Sequence, residues 1–436
     1  MKKGSLFQFD LLLFGSTFTL MVIGVLFIYS SGVTSTGVLF NREFIKQMVW
    51  AGSGLILLAI AVVISYARLK PLAPQLYVLG LLLLIVTLVV GRRVHGARSW
   101  LGLGDFGIQP SEFMKLGTIL MMAAYLSGIG KGIRELPRLL LAFAVVLVPM
   151  GLILLQPDMG TALVYIPIFL VMTYMAGARA RHLIFILASG LMMIVFGLLP
   201  AFENYVLARE LSVFASLGSF EMLRYILPAL ALIAVLAAWG TYGFKRHYFY
   251  WILYGASLLL TGLGGALVAM RVLKDYQVMR LIIFMDPKID PQGAGWNIIQ
   301  SVTAVGSGGF WGKGFLQGTQ SHYRFLPQQS TDFIFSIIAE EWGFFGGILV
   351  FTLFLIVLLR GLRIAYTARD DFALYLASGI LGMIGFHVVV NIGMAMGIMP
   401  ITGIPLFFLS YGGSSLWTGL IAVGLLLNIH LRRYRH

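Results

Sequence analysis

The chain of 436 residues has no cysteine, which excludes disulfides and thiolate metal sites. Charge is nearly as scarce: 11% of residues are Asp, Glu, Lys or Arg, against about a quarter in an ordinary soluble domain. That balance excludes a water-soluble globule. Acidic residues number only seventeen, and the seven histidines include no pair at metal-ligand spacing, so a zinc centre is not expected. Alternating ten-residue strand patterns are missing, which argues against a transmembrane barrel. The stretch Ser307-Gly-Gly-Phe-Trp-Gly-Lys-Gly superficially resembles a phosphate loop but fails the pattern. Ser307 stands where the first glycine is needed, and Gly314 follows Lys313. No nucleotide is expected.

What is present is apolar, 59% of the chain. Runs of about twenty apolar residues match the length that crosses a hydrocarbon core as a helix. The expected fold is therefore all-α, a polytopic membrane helical protein of twelve spans in one domain, 1–436. The spans lie at roughly 11–31, 45–66, 73–90, 112–129, 138–156, 159–177, 182–200, 225–243, 248–271, 332–359, 371–397 and 405–430. The run after Met1-Lys-Lys is too long for a signal peptide, so it reads as an uncleaved first span.

The net charge of +14 would suit nucleic acid in a soluble protein. In a membrane protein it reads as topogenic Lys and Arg, with anionic lipid headgroups as their partners. Lys2/Lys3, Arg68/Lys70, Lys131/Arg134/Arg138, Arg179/Arg181, Lys245/Arg246, Arg360/Arg363/Arg369 and Arg432/Arg433/Arg435 all fall on one side. That side reads as cytoplasmic and holds both termini. The opposite side carries Arg92, Arg93 and Arg98 in a short loop, which suggests an anionic ligand there. It also carries a large extracytoplasmic loop, 272–331, before the tenth span. Turn signals at Asp286-Pro287 and Asp290-Pro291 predict loop with short helices. Residues 201–224 mix charged and apolar residues and are expected along the outer interface.

Ionisable residues at membrane depth are costly and usually face a cavity or a partner. Asp332 stands where the 272–331 loop becomes a helix, and a functional role is expected for it. For Glu112 and Lys115 two readings stay open, an i,i+3 ion pair or a ligand site. Asp158, in Gln156-Pro-Asp-Met-Gly-Thr-Ala, is either a helix N-cap or a substrate or metal contact. Glu340 and Glu341 read as structural, buried polar contacts. Pro405-Leu-Phe-Phe-Leu-Ser-Tyr-Gly-Gly-Ser-Ser reads as close helix packing.

Several stretches together resemble a known family. Gly96-Ala-Arg-Ser-Trp-Leu, Gln109-Pro-Ser-Glu-Phe-Met-Lys-Leu, Gln156-Pro-Asp-Met-Gly-Thr-Ala, Gly306-Ser-Gly-Gly-Phe-Trp-Gly-Lys-Gly, Phe325-Leu-Pro-Gln-Gln-Ser-Thr-Asp and Leu409-Ser-Tyr-Gly-Gly-Ser-Ser are similar to motifs of the SEDS proteins. These are the shape, elongation, division and sporulation peptidoglycan polymerases, and the motifs occur in family order. Gln156 and Gly318-Thr-Gln-Ser are similar to the elongation members rather than the division members. The family usually has ten spans, so 201–271 would insert two more. Gln328 and Ser330 replace the family's Glu and His, four and two positions before Asp332.

The resemblance implies an inverting glycosyltransferase that polymerises lipid II at the outer face of the bacterial cytoplasmic (inner) membrane during elongation. It implies that Asp332 is catalytic and that Trp100, Glu112, Lys115 and Asp158 line the substrate cavity. Arg98, Lys115, Arg280 and Lys313 are candidates to stabilise the leaving pyrophosphate. A divalent cation, Mg²⁺ or Mn²⁺, held by carboxylates and phosphate would suit the chemistry. The implied partner is a class B penicillin-binding protein, a transpeptidase, within the elongation complex. A lipid II flippase is the alternative function, and a scaffold is a third.

Overall fold

In hydrocarbon, backbone polar groups must be satisfied within their own segment, so apolar runs fold as helices. The computed structural model describes residues 9–94, 97–102, 107–203, 220–272 and 275–433. The helices are α1 (Leu11–Ser31), α2 (Glu43–Val63), α3 (Tyr66–Val90), α4 (Pro110–Ile129), α5 (Leu136–Leu155), α6 (Met159–Leu163), α7 (Tyr165–Met175), α8 (Ala180–Phe202), α9 (Phe220–Gly243), α10 (His247–Val272), α11 (Asp275–Met285), α12 (Ala294–Ser307), α13 (Thr319–His322), α14 (Ile334–Tyr366), α15 (Asp371–Ala395) and α16 (Gly413–Arg432). A two-stranded antiparallel hairpin, β1 (Arg92–Val94) with β2 (Ala97–Trp100), precedes α4. Among the described residues, eleven helices are long and apolar enough to cross a membrane, and the shorter apolar stretch Met159–Met175 accompanies them. The protein is an all-α polytopic membrane protein.

Two expected spans are corrected. The sixth is split at Val164 into α6 and α7. The last begins at Gly413 rather than 405, because Phe408 (φ 69°) and Gly412 (φ 157°) lie outside the helical region. Residues 405–412 are therefore not packed helix but part of a connector, 396–412, between α15 and α16. The expected interfacial stretch falls mostly on 204–219, outside the described residues. Among its described residues the 272–331 loop holds only short helices, as its turn signals predict, with Asp286 and Asp290 accepting from the amides of Lys288 and Gly293.

The chain divides into two units, 1–178 with 297–436 and 179–296. In the first, α1 is tied to α14 at both ends. Asp10 caps α1 and takes a bidentate pair from Arg360 at 2.6–3.1 Å. At the other end Ser30 donates to Glu341, and Phe27 packs edge-on against Trp342. Polar residues on α16 reach across to α2: Asn428 donates to the carbonyls of Ala61 and Val62, and Trp417 to that of Trp50.

Helix α14 is broken at Gly343, whose φ of 65° and ψ of −156° only glycine adopts readily. The break frees amides and carbonyls that the segment 309–314 takes up. Phe344 and Phe345 donate to the carbonyls of Gly309 and Phe310, while Lys313 and Gly314 donate to those of Glu340 and Glu341. Four backbone bonds splice the loop into the helix.

In the second unit α8, α9 and α10 pack side by side. Ser189 meets Thr261 at 2.9 Å, and the Tyr254 hydroxyl donates to the Arg181 carbonyl. Met192 and Met193 of α8 fill the grooves over Gly262 and Gly265 of α10.

Candidate active site

Asp332 lies in the turn before α14 and is half-buried. Its amide donates to the Gln328 carbonyl at 3.1 Å, and its own carbonyl accepts from Asn391 Nδ2 at 2.9 Å. The residues around it are held just as firmly by their backbone. Thr331 O accepts from Ser410, and Ser330 O accepts from the Tyr411 amide. Ser330, standing where the family's histidine would be, donates its hydroxyl to Glu43 at 2.7 Å. Gln328 is exposed, with a φ of 51°.

The connector 396–412 is the strip on which the site is assembled. Gly403 faces the Asp332 carboxylate: a Cβ built there would stand 3.7 Å from Oδ2. The Thr402 carbonyl lies against Gly160 so closely that a Cβ would come within 2.2 Å, which ties the Asp158 turn to the same strip. The Ile404 and Pro405 carbonyls accept from Asn391 and His387 at 2.8 Å each. Phe407 stacks on the His387 ring at 4.0 Å and carries Lys115 Nζ 5.4 Å above its own ring. Gln47 accepts from the Gly412 amide and donates to the Ser410 carbonyl. Just beyond, Ser414 accepts from the Gln109 amide.

The expected site residues separate into distinct groups. Glu112 and Lys115 form the i,i+3 ion pair at 2.8 Å, and Lys115 also meets His387 Nε2 at 3.1 Å. Lys115 is fully buried, so its ammonium reaches no ligand in this conformation. Asp158 is an N-cap, accepting from the Thr161 amide and hydroxyl, and it also takes Gln109 Nε2 at 2.9 Å. Arg98 and Trp100 lie on β2, which is fastened by the Arg98 amide on the Gln156 carbonyl. The Arg98 side chain is exposed, with one nitrogen 3.4 Å from the Leu88 carbonyl, and Trp100 is half-buried. Arg280 belongs to the second unit, half-buried on α11.

Lys313 is committed elsewhere: its ammonium pairs with buried Glu340 at 2.7 Å and donates to the Thr319 hydroxyl. Glu340 also accepts from the amides of Thr319 and Gln320, and Glu341 from Ser30 and the Leu316 amide. The two glutamates are the structural contacts expected of them. His322 completes that cluster, with Nδ1 on the Val33 carbonyl and Nε2 3.2 Å from Glu341. The Glu341 carboxylate pulls the His322 pKa above its ordinary value, against the opposing effect of burial.

Sequence reasoning missed Glu43, Gln47, His387 and Asn391. A detectable signal existed for the last two: a histidine and an asparagine four residues apart inside an apolar span, on one helix face. Chemically, the arrangement offers a half-buried carboxylate on a rigid backbone, beside an internally neutralised cation and a strip of fixed carbonyls. That suits proton abstraction from a bound hydroxyl.

A family model described as "cell cycle protein", covering FtsW, RodA and SpoVE, matches residues 10–217 and 226–435. The chain is 49% identical over 427 residues to peptidoglycan glycosyltransferase RodA of Treponema pallidum, covering 98% of each. It is 34% identical to stage V sporulation protein E of Bacillus subtilis, covering 96% of each. Among solved structures it is similar to one described as a peptidoglycan synthase complex coordinating polymerization and crosslinking. That likeness has a TM-score of 0.64 at 30% identity, covering 98% of this chain and 99% of the other. The crystal structure of rod shape determining protein RodA from Thermus thermophilus is similar with a TM-score of 0.61 at 28% identity, covering 98% of each.

Proposed function

The chain belongs to the family of cell cycle proteins that takes in FtsW, RodA and SpoVE, and from that premise we propose how it works as a peptidoglycan glycosyltransferase. It joins lipid II disaccharides into glycan strands, at the outer face of the bacterial cytoplasmic membrane. The observation that best supports the reading is the setting of Asp332, half-buried at the mouth of α14 and facing the connector.

Asp332 takes the proton from the 4-hydroxyl of the acceptor N-acetylglucosamine. That oxygen forms a bond to the anomeric carbon of the donor N-acetylmuramic acid from the face opposite the leaving group. The anomeric C–O bond breaks, and polyprenyl pyrophosphate departs with the electron pair, so configuration inverts. Such a base contributes about 10²–10⁴-fold. The bond to pyrophosphate supplies the driving force, so no nucleotide is needed.

Of the four cations first considered for the pyrophosphate, Arg98 retains an exposed side chain on the hairpin. Lys115 and Lys313 instead neutralise Glu112 and Glu340. Among the described residues no three His, Asp or Glu side chains converge, so a divalent cation would rest on one or two carboxylates and the substrate's own phosphates. A divalent cation arriving on the pyrophosphate would be part of the substrate, and no step is routed through it.

The partner is a crosslinking transpeptidase of the class B penicillin-binding type, by analogy with the similar complex that coordinates polymerization and crosslinking. A flippase would use ionisable groups facing a transport path, whereas Glu340 and Glu341 are engaged in docking residues 313–322. Purified full-length chain incubated with lipid II, with and without that partner, tests the reading. A ladder of glycan products is expected. Headgroup movement across vesicles with no polymer would replace the polymerase by a transporter.

A further inference from the structure

His387 and Asn391 lie one turn apart on α15, so they share a face, and both are buried to 1% exposure or less. Asn391 Nδ2 donates to two carbonyls at once, that of Asp332 at 2.9 Å and that of Ile404 at 2.8 Å. His387 Nδ1 stands 2.8 Å from the next carbonyl, that of Pro405. A carbonyl only accepts, so the proton sits on Nδ1 and Nε2 is left as an acceptor for the Lys115 ammonium, 3.1 Å away. One helix face thus grips two successive carbonyls of the connector, the main chain of Asp332, and the cation of the Glu112–Lys115 pair.

From this geometry we propose that Asn391 and His387 are positioning residues of the transfer reaction. Asn391 fixes where the Asp332 carboxylate points, by tying its carbonyl to the connector. His387, locked in the Nδ1–H tautomer, holds the same connector through the Pro405 carbonyl. Neither side chain touches substrate; both act through backbone. The proposal rests on the reading of Asp332 as general base.

The test uses the full chain and lipid II, with kcat and KM measured per folded molecule. Asn391→Leu keeps the branched shape and removes both hydrogen bonds. A misplacement near 1 Å costs about a hundredfold, so kcat should fall about that far while KM changes little. If Asn391→Leu does not fold, the histidine pair decides. His387→Asn and His387→Phe both lose the acceptor for Lys115, but only asparagine keeps a donor where Nδ1 was. His387→Asn should then retain most of the activity and His387→Phe lose about a hundredfold.

Wild-type kcat in folded Asn391→Leu, or equal rates in the two histidine variants, would overturn the proposal. A fall in melting temperature with unchanged kcat would mean packing alone, which also overturns it. Asp332→Asn in the same assay separates the two failures. If that variant is dead while Asn391→Leu is unimpaired, only the positioning roles fail; if it retains wild-type activity, the base assignment fails and takes them with it.

Discussion

Two acidic centres lie at opposite ends of one short stretch, Asp332 and the Glu340–Glu341 pair, and they are built in opposite ways. At Glu340 and Glu341 the carboxylates do the holding. Their oxygens gather Lys313, Ser30 and the amides of Leu316, Thr319 and Gln320, all from residues distant in sequence. At Asp332 the main chain is what is held, through Gln328 and Asn391, and the carboxylate faces the glycine of the connector. Glu340 and Glu341 thus hold the fold through many donors, while Asp332 is set in place through its backbone.

The comparison breaks most visibly at Asp332. Asp332→Asn is expected to lower lipid II polymerisation by about 10²–10⁴-fold with its melting temperature in detergent unchanged. Active Asp332→Asn would leave the two centres indistinguishable. Glu340→Ala should do the reverse, since it strands the part-buried Lys313 ammonium and the amides of Thr319 and Gln320, at about 1–3 kcal/mol for each group left unsatisfied. The measurement is thermal unfolding, and an unshifted transition would mean that the loop does not depend on Glu340. A smaller effect is expected at Gly403, whose φ is 72°. Gly403→Ala should cost about 1–2 kcal/mol in stability and lower kcat, because the new methyl group approaches Asp332. An unaltered kcat there would separate the connector from the site.

The smallest effect is a pH dependence at His322. Its pKa is raised above 6.5 by Glu341, so protonated His322 contributes stability fully below the unfolded value. That contribution is lost as pH rises through the raised folded value. Melting temperature should therefore decline from about pH 6.5 upward in the wild type, and His322→Gln should flatten that part of the profile. Identical profiles would remove His322 from the structural centre.

The spans were legible because hydropathy and length follow directly from the thickness of the hydrocarbon core. Asp332 was legible because a carboxylate at a loop–helix junction stands out against an apolar chain. The connector was not. Pro405-Leu-Phe-Phe-Leu is as apolar as any span, and hydropathy does not distinguish a buried strip from a buried helix. Lys313 was assigned by its neighbours in sequence, whereas its partner Glu340 lies 27 residues on, reached only once α14 breaks. The break at Gly343 belongs to the same class: a glycine inside an apolar run reads as packing until the backbone shows otherwise.

That break has a mechanical consequence. The four backbone bonds between 309–314 and the two halves of α14 are mutual, so neither partner satisfies its polar groups alone. Sliding the loop by one residue would mismatch all four together. The register of the loop on α14 is thus set by all four bonds at once rather than by any single contact.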